Sequence, residues 1–200
     1  MRRLNKKQMS PACGLISAGL APNCNDPLVG GLEVDLILIN KDDIASYTFN
    51  GTNALIIEAI TRVATKVGYK YEGIKFSNST KSTLVKGKYQ SNFDHELNMV
   101  VFNVNGAAKA QLELLAKSLV VAVVRYKYRG TGGDAAFEIL GREQGLELMT
   151  LERDSANADT QGAYSLQLKT PAEGKEGHLP APFYKTDYAT TLGLYSALTV

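Results

Sequence analysis

The residues of this chain whose types could do chemistry are two histidines, two cysteines and a few glycine-rich or acidic loops. His95 lies between Asp94 and Glu96 in an alternating run. Neighbours along a strand point to opposite faces, so neither carboxylate can orient the ring. A general base also needs a substrate or nucleophile within hydrogen-bond reach, and the sequence supplies no partner. His95 therefore reads as a structural histidine on an inward face, and His178, in a Gly/Pro/Glu loop, reads as exposed. Cys13 and Cys24 have no cations beside them to lower a thiol pKa. Two cysteines are too few for a disulfide scaffold, and two distant histidines have no zinc-ligand spacing. Gly130–Asp134 follows an apolar strand but lacks the Lys-Ser or Lys-Thr that completes a phosphate loop, so it reads as a turn. Gly141–Gly145 has no serine for a nucleophile elbow. Asp42 and Asp43 are adjacent turn residues, and 154–159 lacks the alternating oxygen ligands of a calcium loop. No catalytic, cofactor-binding or metal residue is assigned.

Composition narrows the class further. The chain has 200 residues, 44% hydrophobic and 21% charged, with a formal net charge of +2. That length suits one globular domain, and the balance carries no general mandate for nucleic-acid binding. Arg2, Arg3, Lys6 and Lys7 form a basic N-terminal cluster, which reads as a solvated tail. No segment reaches the roughly 20 apolar residues of a membrane span. Ser10–Val29 imitates a signal peptide only weakly, so the expectation is a protein made and folded in the cytoplasm, with no membrane partner.

The elements that must position these residues are mostly strands. Residues 1–31 are dense in Gly and Pro and read as an extended arm, leaving 32–200 as a single β-rich domain. Leu32–Asn40 reads as a strand with Leu32, Val34, Leu36 and Leu38 on its core face. Asn53–Val67 suits either a strand or a short helix, and Tyr69–Phe76 alternates. Ser77–Lys88 is polar and reads as a projecting loop or hairpin tip. Tyr89–Val104 is the longest strand signal. Asn105 can cap a helix over 107–118, with Ala108, Leu112, Leu115, Ala116 and Leu119 on one stripe. Val120, Val121, Val123 and Val124 then demand a buried strand. Ala136–Leu140 and Gly145–Glu152 read as a hairpin, Gly162–Thr170 as an alternating strand, and Phe183–Val200 as a segment docked on the body. The sum is a mainly antiparallel β-sandwich or barrel with one packed helix.

Four segments carry a resemblance: Cys24–Asn40 (CNDPLVGGLEVDLILIN), Phe93–Phe102 (FDHELNMVVF), Phe137–Leu148 (FEILGREQGLEL) and Ala163–Thr170 (AYSLQLKT). In order, spacing and texture the chain resembles the tail tube and related virion structural proteins of tailed bacteriophages, particularly those infecting Bacteroidetes. The resemblance implies a tube-like β fold and no enzymatic activity. It implies a homo-oligomer of stacked rings in the virion tail, contacts with other tail or neck proteins, and double-stranded DNA passing non-specifically through the lumen. A neck, ring or tail-completion protein would look the same, and a monomeric small-ligand-binding β-barrel, or an enzyme with its ionisable groups gathered in a pocket, is the reading from another class. On the tube reading, DNA must slide without sticking, which favours acidic or neutral lining. Glu33 with Asp35, and Asp94 with Glu96, are the candidate lumen pairs. Ser77, Asn78, Lys81, Lys86 and Lys88 are the candidate inter-subunit contacts.

Overall fold

The computed structural model describes residues 18–22, 24–88 and 91–200. In chain order its elements are β1 (Leu32–Asn40), β2 (Ile44–Phe49), β3 (Ile57–Arg62), β4 (Tyr69–Glu72), β5 (Ser79–Lys86), β6 (Ser91–Val101), α1 (Gly106–Leu115), β7 (Val120–Tyr126), β8 (Phe137–Leu140), β9 (Glu147–Glu152), β10 (Tyr164–Lys169), β11 (Ala181–Pro182) and α2 (Tyr188–Ala197). A 3-10 turn, Lys41–Asp43, joins β1 to β2. The fold is mainly β, and every named strand pairing is antiparallel.

Three sheets divide the strands. A five-stranded sheet has the order β11-β8-β7-β1-β4, a four-stranded sheet the order β5-β6-β10-β9, and β2 pairs with β3 alone. The first two sheets face each other across one core. Leu36, Leu38, Val120, Ala122 and Val124 from one meet Leu97, Met99, Leu166 and Leu168 from the other, with Leu112 and Leu115 of α1 closing the side. The outer face of the five-stranded sheet carries a second core, in which Ile37, Ile39, Val121, Val123, Phe137 and Ile139 pack with Ile57, Phe183, Tyr195 and Leu198. Strands β1 and β7 are thus apolar on both faces because they are covered on both. Each fully buried Leu, Ile or Phe contributes roughly 1.5–3 kcal/mol.

Several expectations change. The described residues hold two helices where one was expected: the docked C-terminal segment is helical, and Asp187 caps it by accepting from the Thr190 backbone N–H at 2.7 Å. Its far end is held by Arg62, whose guanidinium donates to the Leu198 and Val200 carbonyls at 2.9 Å each. Asn105 caps α1 as its type suggests, accepting from Ala108 N–H at 2.8 Å, but the helix stops at Leu115 and Leu119 is 43% exposed. Residues 57–62 settle as a strand, and β2 is a strand that no strong alternation announces. Val34 is 41% exposed because the β1–β7 register slips between Leu32 and Leu36.

Ser77–Lys88 is not a projecting loop. Its β-branched Thr and Val residues form β5, which pairs with β6 along its whole length, from Ser79 opposite Asn98 to Lys86 opposite Ser91. Nor do β8 and β9 make a hairpin. They lie in opposite sheets, and the turn between them carries the chain across the sandwich. Gly141 has φ +72, and a Cβ there would come within 2.9 Å of the Gly145 carbonyl carbon, so only glycine fits this crossing.

Candidate functional site

Two features of the four-stranded sheet stand out: a buried polar clasp at one end of β6, and the outward face with its two edges.

The clasp is built on His95, which is 1% exposed on the inward side of β6. Its Nδ1 accepts from the Gly141 N–H at 3.1 Å, and Nε2 lies 2.9 Å from the His178 carbonyl. An acceptor at one nitrogen and a donor at the other fix the neutral Nε2–H tautomer. Burial holds the ring pKa below the usual histidine value, against the opposing pull of the Glu176 and Glu143 charges. Glu176, also 1% exposed, accepts from the Glu143 N–H at 3.0 Å and the Gln144 N–H at 2.8 Å. Glu143 returns the contact by accepting from the Gly177 N–H at 2.8 Å, while Lys41 donates to the Glu143 carbonyl. Burial raises the Glu143 carboxyl, but its bonds from Arg142 and Gly177 outweigh that and hold it low. The turn 141–145 and the segment 174–178 thus grip each other around His95. Both ring nitrogens serve the backbone, which leaves the imidazole no free face for proton transfer. The sequence showed the histidine but not its partners, which lie 46 and 83 positions away.

The outward face follows from the pairing registers. Directly opposed residues share a face, so Lys81 and Thr83 of β5 lie beside Glu96 and Asp94 of β6. Gln167 and Lys169 of β10 follow, then Thr150 and Glu147 of β9. Every one of these side chains is polar or charged. Asp94 forms ion pairs with Lys175 at 2.6 Å and Lys169 at 3.3 Å. Its burial works against ionisation, but those two lysines more than compensate and keep its carboxyl below the usual aspartate value. Glu96 accepts from Asn98 at 3.0 Å and has Lys81 and Lys169 opposite it on either side.

The four acidic lumen candidates therefore do not form one lining. Asp94 and Glu96 share the outward face, where lysines match their charge, so that face is balanced rather than acidic. Glu33 and Asp35 lie on β1 in the other sheet. Asp35 is spent in an ion pair with Arg125 at 2.6 Å, on the side that α2 covers, so it is no lining residue. Among the contact candidates, Asn78 is corrected too. It is 7% exposed and donates to the Val34 carbonyl at 3.2 Å, so it fixes its own chain. Ser77 is half-buried and spends its hydroxyl on Ile74, donating to its carbonyl at 2.8 Å and accepting its N–H at 2.9 Å. Lys81, Lys86 and Lys88 are exposed. Cys24 is exposed, whereas Cys13 and the basic cluster Arg2, Arg3, Lys6 and Lys7 lie outside the described residues.

A third polar group spans the sandwich. The Tyr126 hydroxyl donates to Glu138 at 2.8 Å and lies 2.7 Å from the Thr80 hydroxyl, linking β7 and β8 to β5. Burial raises the Glu138 carboxyl pKa, and the Tyr126 bond offsets only part of that. Among the described residues no helix is long and apolar enough to cross a membrane, and no three His, Cys, Asp or Glu side chains gather into a metal-holding group.

Comparison with protein-family models, with curated proteins and with solved structures gives no significant match.

Proposed function

We propose that the chain is a structural subunit that assembles into rings, of the kind that stack into a bacteriophage tail tube around passing DNA. One observation carries this reading: the four-stranded sheet has a largely polar outward face, with Val85 and Val100 its apolar members, and both of its edge strands, β5 and β9, are unpaired on their outer side among the described residues. A long open edge is a template for another chain, and a sheet that continues from copy to copy removes it. The face suits a conduit, because charge-matched lysines and carboxylates give phosphates no net basic patch to hold. Residues 18–22 and 24–31, mostly exposed, with Leu20 at 103% and Leu28 at 84%, suit an arm that a neighbour covers.

Light scattering after size exclusion, with negative-stain microscopy, tests this on the whole chain. Rings or tubes are expected. Rings that never stack would favour a neck or completion protein. A 21.6 kDa monomer at every concentration would overturn the reading.

A groove favours the ligand-binding alternative. It lies between β4 and α1, holds about 640 Å³, and is lined by Tyr69, Tyr71, Val101, Phe102, Gln111 and Leu112. A monomer whose thermal midpoint rises with a small apolar ligand, and falls back in Tyr71→Ala, would support that alternative.

A further inference from the structure

The two open edges of the four-stranded sheet carry opposite charge. Strand β5 (STKSTLVK) presents Lys81 and Lys86 and no acid, whereas β9 (ELMTLE) presents Glu147 and Glu152 and no base. Each also leaves apolar side chains in water: Leu84 is 49% exposed on one, Met149 47% and Leu151 38% on the other. Pairing β9 with β9, or β5 with β5, would set like charges against each other, so each edge rejects its own kind and accepts the other. Strand direction agrees. The pairings β5–β6, β6–β10 and β10–β9 are all antiparallel, so β5 and β9 run opposite ways within one copy. A second copy in the same orientation then brings its β5 antiparallel to the first copy's β9.

We infer that β9 of one copy pairs with β5 of the next, with Lys81 opposite Glu152 and Leu84 opposite Leu148. This rests on the self-assembly reading above and specifies its contact. The register follows from the faces. Outward residues of β5 are Lys81, Thr83 and Val85, opposite Glu96, Asp94 and Asn92. Outward residues of β9 are Glu152, Thr150 and Glu147, opposite Ser165, Gln167 and Lys169, with Met149 the extra residue of a bulge. Matching outward to outward gives Lys81–Glu152, Thr83–Thr150 and Val85–Glu147. The inward positions then match Ser82 with Leu151 and Leu84 with Leu148, covering the exposed leucines. Lys86 lies on the inward face, opposite in side to Glu147, so Lys81–Glu152 is the direct charge pair of this register and Lys86 and Glu147 add only their net charge to each edge. The contact joins two different surfaces, so it propagates head to tail and closes into a ring where the rotation allows.

A chain carrying Thr83→Cys and Thr150→Cys, with Cys13→Ser and Cys24→Ser, tests the register. Mild oxidation should give a ladder of multimers that reductant collapses, and neither single cysteine alone should give more than dimer. Efficient dimerisation through Thr150→Cys alone would mean β9–β9 pairing and overturn the proposal. Charge reversal tests the cause. Lys81→Glu with Lys86→Glu, or Glu147→Lys with Glu152→Lys, should raise the concentration needed for assembly by at least about tenfold. All four reversals in one chain should restore assembly, which also shows that the variants fold. If the unmodified chain assembles and the reversals change nothing, this pairing is wrong while self-assembly stands. If the unmodified chain stays monomeric throughout, both fail.

Discussion

His95 stays neutral in the folded chain because protonating Nδ1 would set an N–H against the Gly141 N–H in a buried site. Its folded pKa lies below the unfolded value, so the unfolded chain takes up the proton first. The stability this provides is present above about pH 6.5, the unfolded value, and is lost as pH falls toward the folded one. Urea midpoints measured between pH 7.5 and 5.5 should therefore drop for the natural chain. In His95→Gln that drop should shrink, from a lower starting midpoint; an unchanged slope would assign the pH dependence to other groups. Glu138 has the opposite sign. Burial raises its folded pKa, so its contribution is favourable below about pH 4.5 and is lost as pH rises through the folded value. Glu138→Gln keeps an acceptor for Tyr126 without the charge. It should gain stability relative to the natural chain at pH 7 and little at pH 4, as read from the same denaturation curves.

At the scale of elements, α1 is held by one cap and two leucines. Leu112 is 2% and Leu115 5% exposed between the facing sheets. Leu115→Ala should cost about 2–5 kcal/mol in equilibrium unfolding, whereas Leu119→Ala, at a 43% exposed position, should cost little. Removing either helix cap, Asn105→Ala or Asp187→Ala, should cost about 1 kcal/mol, because each leaves a helix N–H without its acceptor. A Leu119→Ala loss as large as that of Leu115→Ala would mean that the helix packs on a different stripe.

At the scale of the molecule, the described part of the arm meets the body at a few points, among them the Lys127 N–H donating to the Gly31 carbonyl at 3.1 Å; residues 1–17 lie outside the described residues. Residues 18–22 and 24–31 are exposed except for half-buried Asp26, which accepts from the Tyr128 hydroxyl at 3.1 Å. On the reading of residues 1–31 as an arm, deleting residues 1–22 should leave the thermal midpoint close to that of the full chain. On the proposed function it should also weaken assembly, measured by light scattering at matched concentrations. A large drop in midpoint would show that the arm belongs to the core. If charged edges hold the copies together, assembly should weaken as salt rises, because screening shortens the reach of exposed charges to about 8 Å at physiological ionic strength.

The sequence by itself determined the mainly β class, the paired faces of β6 and β10, the burial of β7 and the Asn105 cap. These rest on local rules, the two-residue period of strands and the reach of a side chain to its own next turn, which a single run of residues displays. It also showed that His95 faces inward. Only the tertiary structure decided the rest. Whether Ser77–Lys88 was a loop or a strand depended on β6 offering a partner edge, and a polar strand on an edge shows no hydrophobic period. That β8 and β9 part into different sheets depended on where the turn at Gly141 points the chain. Asp35 looked like a free surface acid until Arg125, 90 positions on, came to lie beside it. The clasp around His95 was invisible for the same reason: its ligands are backbone groups, whose positions no side-chain pattern records. The opposite charges of β5 and β9 are plain in the sequence, but they acquire meaning only once the fold makes those two strands the open edges of one sheet.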